Sequence, residues 1–185
     1  MTVLNMQSAR ESIATYIRAK DENQPHLMPR AFVEAATLEM VVKAGSISFP
    51  PISNGLESIS NVLVRRFSQT YENIRTFCLA EPPRSGDAKF SCGWLVGMSE
   101  KENRMVWVGC GRYDWVFQSH GPRLVERLTI TIELMQSLAP SSLTSVMAWL
   151  SQLPYPWCPV QTALANAPTL DGLEPIRLYV GRESA

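Results

Sequence analysis

Tyrosine hydroxyls, carboxylates and an arginine carry what chemistry this chain can do, and Tyr16, Asp21, Arg112 and Asp114 are the residues of interest. A phenol beside a carboxylic acid can polarise a carbonyl while a carboxylate moves a proton. Each residue also has a structural reading. Tyr16 has apolar neighbours at helical spacing and can be a core tyrosine whose hydroxyl is satisfied by Asp114. Asp21 falls where a helix end or loop is often capped. Arg112 and Asp114 lie two apart on a strand and share a face, so they can form an ion pair that keeps the aspartate charged.

The other reactive residue types are placed for little. His26 and His120 fall in turn-rich segments, which leaves no imidazole acid–base pair. Cys78, Cys92, Cys110 and Cys158 are widely spaced and form no CxxC, and three of them sit in apolar runs, so buried free thiols are expected. No cluster has metal-ligand spacing, and neither a metal nor a cofactor is expected. Seventeen basic and seventeen acidic side chains cancel, which argues against nucleic acid and anionic membranes as partners. The N-terminal residues lack a cationic run followed by an apolar one, and no stretch approaches about 20 apolar residues, so a cytoplasmic protein is expected.

With 185 residues, 45% of them hydrophobic, the chain suffices for one core and an appendage. Ser8 and Glu11 have capping-box spacing, and Ile13, Tyr16 and Ile17 mark a first amphipathic helix ending near Asp21. Pro29, followed by Phe32, Val33 and Ala36, predicts a short second helix before a strand over Leu38 to Val42. Gly55 to Phe67 predicts a third helix. Four strand-like runs follow, Ile74 to Ala80, Lys89 to Met98, Met105 to Phe117 and Leu124 to Leu134, separated by turn residues that imply antiparallel neighbours. Helices first and strands second predict an α+β arrangement. Residues 1–139 are expected to form the domain and 140–185 an extension, with a helix from about Ser142 to Leu153 and then an irregular proline-rich tail.

The element order, with Ala14, Tyr16, Ile17 and Asp21 on the first helix, Gly55, Glu57 and Ile59 opening the third, and the run Gly111-Arg112-Tyr113-Asp114 with Val116 in a late strand, resembles the NTF2-like superfamily and its SnoaL-like members. The resemblance spans roughly residues 8 to 135. It implies an α+β, cystatin-like cone in which three helices pack on a curved, mostly antiparallel mixed sheet around a pocket, commonly in homodimers.

Superfamily members include ketosteroid isomerases, scytalone dehydratase, polyketide cyclases and dioxygenase small subunits, so function has to be read from the pocket. Tyr16 and Asp114 match the two hydrogen-bond donors of the isomerases, whereas Met40 stands where their general base would be. Glu39, one residue away, points to the other face of a regular strand. Asp21 matches an aspartate of scytalone dehydratase, whose pocket histidines are replaced here by about Thr76 and Trp94. With Asp114 taken as inward, Cys110 and Arg112 share its face. Phe32, Met40, Phe90, Cys92 and Trp94 complete the expected ligand-binding set, with Tyr16, Asp21 and Asp114 as the candidate catalytic groups.

The expected function is binding of a small hydrophobic or aromatic molecule that bears an oxygen. A cyclase, dehydratase or isomerase using Asp21 or Asp114 with Tyr16 is the enzymatic alternative, and a non-catalytic assembly subunit is a third. The same choice of face turns Trp107, Tyr113, Trp115 and Phe117 outward, an apolar stripe that predicts a homodimer interface.

Overall fold

The computed structural model describes residues 6–182. The outer ends of the two expected segments, residues 1–5 and 183–185, lie outside the described residues. Helix α1 spans Ala9–Asp21. It starts at a reciprocal cap in which the Ser8 hydroxyl accepts from the Glu11 backbone N–H and the Glu11 carboxylate accepts from that of Ser8 at 2.7 Å. Its inner face buries Ile13, Tyr16, Ile17 and Lys20.

The second expected helix is not one. Pro25–Arg30 forms a 3₁₀ turn, and strand β1 already begins at Phe32 and runs to Val42. The four-residue step from Phe32 to Ala36 fits one face of a helix, but an even step fits one face of a strand as well. Ala36, Leu38 and Met40 are all buried and supply that face. A short strand, β2 (Ile52–Asn54), pairs antiparallel with β1.

Gly55, at φ 86°, then opens helical residues 56–70, made of α2 (Leu56–Ser60), a π turn (Asn61–Arg65) and α3 (Arg66–Thr70). The remaining strands are β3 (Tyr71–Leu79), β4 (Lys89–Glu100), β5 (Val106–Phe117) and β6 (Val125–Leu138). All six form one mixed sheet of order β2-β1-β6-β5-β4-β3, in which β1 and β6 run parallel and every other pair is antiparallel.

The sheet has a core on each face. The inner one lies beneath α1 and the 56–70 helix and contains Tyr16, Leu63, Trp94, Tyr113 and Trp115. The outer one joins Phe77, Leu95, Val106, Val108 and Cys110 to the C-terminal extension.

That extension is more regular than its prolines suggest. After α4 (Leu143–Ser151) come α5 (Val160–Ala165) and α6 (Glu174–Arg182). Pro159 caps α5 and Pro175 is the second residue of α6, positions where a missing N–H costs no helical bond. Pro154, Pro156 and Pro168 fall between helices.

The extension is stitched to the sheet. Backbone bonds from Cys78 N–H to the Pro156 carbonyl (2.7 Å) and from Cys158 N–H to the Cys78 carbonyl (2.9 Å) cover the edge of β3. Gly97 lets α4 approach β4, since a Cβ there would meet Leu150 Cδ1 at 2.2 Å. No helix among the described residues is long and apolar enough to cross a membrane.

Candidate functional site

Between α1, the 56–70 helix and the inner face of the sheet lies a cavity of about 50 Å³. Helix α1 contributes Tyr16 and Lys20, one turn apart on its buried side. Leu63 and Phe67 descend from the 56–70 helix. Alternation brings Trp94, Val96 and Met98 of β4 to one face, with Tyr113 of β5 and Ile130 of β6 beside them. Met40 and Met135 add unbranched, adaptable side chains.

Ile47 and Phe49, from the loop between β1 and β2, complete the wall. With Phe67 they also line a wider outer cleft of about 330 Å³. The Phe49 and Phe67 rings stack with centroids 6.5 Å apart and stand between the two spaces.

Few polar atoms reach this wall, and their pairing is uneven. Among the described residues, the Tyr16 hydroxyl and the Trp94 indole N–H are buried without a hydrogen-bond partner. Burial pushes the Tyr16 and Tyr113 hydroxyls well above the ordinary tyrosine range. The two phenols are close enough to influence each other's titration, yet no aligned hydrogen bond satisfies Tyr16. Lys20 Nζ, by contrast, donates to the Thr76 hydroxyl at 2.6 Å and to Asp21 at 3.0 Å, and lies 5.1 Å from the centre of the Phe67 ring.

Asp21 is buried one step behind the wall. Its carboxylate accepts from Lys20, from the Thr76 backbone N–H (2.7 Å) and hydroxyl (2.8 Å), and from the Tyr155 hydroxyl (2.9 Å). Four donors thus converge on the one carboxylate. It ties the end of α1 to β3 and to the extension.

The expected orientation of β5 is reversed. Tyr113, Trp115 and Phe117 are 3%, 1% and 2% exposed on the inner side, and Tyr16 meets both Tyr113 and Trp115 edge-on. Asp114 and Arg112 therefore point outward, paired at 3.0 Å with the two side chains 41% and 51% exposed. Ser91 donates a further 2.5 Å bond to Asp114. Cys110 is buried in the outer core beneath the extension.

The homodimer stripe is corrected with it. Trp107 is partly buried and the other three residues are interior, so they form no exposed face. Burial settles the orientation. A strand puts its apolar set inward, and cross-strand neighbours share a face, so Cys92 opposite Tyr113 and Phe90 opposite Trp115 could not face the pocket together with Arg112 and Asp114.

Of the expected ligand-binding residues, Met40 and Trp94 line the cavity. Phe32 packs edge-on against Tyr16 at 5.7 Å and supports it. Cys92 is in the inner core, and Phe90 sits at its margin against Trp157. Glu39 is exposed and accepts a hydrogen bond from Thr129. All four cysteines are free and buried. Among the described residues, no group of three or more His, Cys, Asp or Glu side chains is placed to hold a metal ion.

Lys20 and Tyr113 escaped the reading of the sequence as site residues. The first had a signal, since it lies four residues after Tyr16 on the same helix face. The second would have followed from treating the aromatic stripe as core.

No family model matches the sequence, and no curated protein matches it significantly. Solved structures do share the fold. One is an NTF2-like superfamily protein from Salmonella enterica serovar Typhimurium, with TM-score 0.54 and 15% identity over 68% of this chain and 88% of that one. A second is a hypothetical protein with a ketosteroid isomerase-like fold from Catenulispora acidiphila, in complex with trimethylamine, at TM-score 0.51 and 14% identity over 65% and 83%. A third is a computationally designed 17-OHP binder, at TM-score 0.54 and 11% identity over 71% and 100%.

Proposed function

We propose that this chain, which has the NTF2-like fold, binds a small, largely apolar molecule bearing an oxygen in the cavity between α1 and the sheet. The observation that carries this reading is the pair of buried polar groups without a partner among the described residues, the Tyr16 hydroxyl and the Trp94 indole N–H, on residues of a largely apolar wall. A buried donor without an acceptor costs roughly 1–3 kcal/mol, and a bound ligand oxygen would offset that cost.

As it stands the cavity has room for a few water molecules. Rotation of Phe49 would join it to the outer cleft, and the methionines can adapt to the shape of a guest. The designed 17-OHP binder is a neighbour in fold that holds a small molecule, which is consistent with this use of the architecture.

The lining favours binding over turnover. Among the described residues that form it there is no carboxylate and no imidazole, and the nearest aspartate, Asp21, is saturated by four donors. A proton-abstracting base of the isomerase or cyclase kind would have to come from elsewhere.

The test is a titration with acetophenone followed by tryptophan fluorescence, alongside thermal unfolding. Wild type should give a saturable change that Trp94→Phe diminishes. Tyr16→Phe should raise stability by about 1 kcal/mol, because an unpaired buried hydroxyl is removed, while weakening acetophenone. Lower stability with unchanged affinity would mark Tyr16 as a core residue only, and a wild type without saturable response would refute the binding reading.

A further inference from the structure

We infer that Lys20 sets the head-group specificity of this cavity, selecting a neutral hydrogen-bond-accepting oxygen such as a ketone, ester or amide carbonyl over a carboxylate or an amine. The inference rests on the cavity being a ligand site.

Donor count is the first ground. An ammonium has three N–H donors, and two of those on Lys20 go to Asp21 and Thr76. Among the described residues the third has no hydrogen-bond partner, and Nζ lies 5.1 Å from the centre of the Phe67 ring on the cavity wall. On the same wall, the Trp94 indole can only donate, and the Tyr16 hydroxyl has no hydrogen-bond partner among the described residues. A guest that brings an acceptor can therefore pair with these groups, whereas an ammonium head would set donor against donor at Lys20 and Trp94.

Charge balance is the second. The side chains of Lys20 and Asp21 are 8% and 4% exposed, so the pair is a buried unit of zero net charge. A carboxylate placed against it would leave one uncompensated negative charge out of water, which is expensive in a low-dielectric site. A carbonyl oxygen takes the free N–H with no such cost.

Four probes of similar size, ethylbenzene, acetophenone, benzoate and benzylamine, separate the possibilities when titrated calorimetrically into the full chain. Acetophenone should bind about tenfold tighter than ethylbenzene, the worth of one hydrogen bond from a charged donor, and benzoate and benzylamine more weakly than ethylbenzene. Lys20→Met should erase the acetophenone advantage while leaving ethylbenzene bound, and Lys20→Met combined with Asp21→Asn should do so with the charge balance kept. The wild-type ranking stands as a test even if either variant misfolds. Ethylbenzene matching acetophenone, or benzoate exceeding it, overturns the selection by Lys20 and leaves the cavity reading intact. Failure of all four probes to bind overturns both.

Discussion

Burial raises several thiols and phenols of the two cores, and the consequence is a pH limit on stability. Desolvation pushes Cys158 to about 11, and desolvation followed by the nearby Glu133 charge pushes Cys110 to about 12, from an ordinary 9.0. Tyr16, Tyr113 and Tyr155 are raised in the same direction, each mainly by burial. An acid whose folded pKa exceeds its unfolded value contributes stability that is complete below the unfolded value and is lost as pH climbs towards the folded one. The denaturation midpoint should therefore stay level up to about pH 9 and fall steadily from there to pH 11. Ellman's reagent should find no thiol until the chain unfolds. A midpoint that is flat to pH 11 would contradict this. At this scale the sequence was informative where a residue's type and its immediate neighbours decide its place: Tyr16 belongs on the buried side of a helix, and widely spaced cysteines, three of them in apolar runs, pack as hydrophobes. It misled where a resemblance was allowed to choose the face of a strand, because Asp114 was turned inward against the aromatic residues that alternate with it.

Elements were legible wherever one period stood clear of the other. Helix α1 and strands β3 to β6 follow from apolar spacing and turn residues, with ends extended by a few positions because the sheet continues past its most apolar stretch. Phe32 and Ala36 fit both periods, and only pairing with β6 settles them as strand. The π turn inside residues 56–70 and the short β2 carry no local signal, since both depend on what packs around them. Contacts between elements are the least visible feature, and Gly97 is an example. A glycine inside a strand advertises a weak point or a close approach, and here it is the seat of Leu150 from α4. Gly97→Ala should cost about 2 kcal/mol by overpacking a site where the Leu150 side chain is fully buried. Adding Leu150→Ala should recover part of that loss, less its own cavity cost, so the double variant should be more stable than the sum of the singles predicts. Strict additivity in chemical denaturation would mean that α4 does not bear on β4 through this contact.

At the scale of the molecule, the cavity and the extension are coupled through one carboxylate. Asp21 holds Lys20 at the cavity wall and, on its other side, receives the hydroxyl of Tyr155 from the extension. The outer face of the sheet depends on the same segment: Phe77, Leu95, Val106, Val108 and Cys110 are each at most 1% exposed, and their cover is Val146, Leu150, Leu173, Ile176 and Val180 from residues beyond 140. Removing residues 140–185 would uncover that apolar face, free the edge of β3 that pairs with Pro156 and Cys158, and leave Asp21 one donor short. Exposed faces and edges of this kind drive association between chains. A chain ending at residue 139 should therefore aggregate or lose cooperative unfolding, and adding residues 140–185 as a separate polypeptide should restore solubility in part. Tyr155→Phe in the full chain isolates the smaller link. It should lower stability by about 1–2 kcal/mol, the worth of a hydrogen bond to a charged acceptor, and loosen the Lys20 end of the cavity without disturbing the outer core. A truncated chain that stays monomeric and unfolds cooperatively would make the extension an accessory, and the two faces of the sheet would then have to be treated as independent.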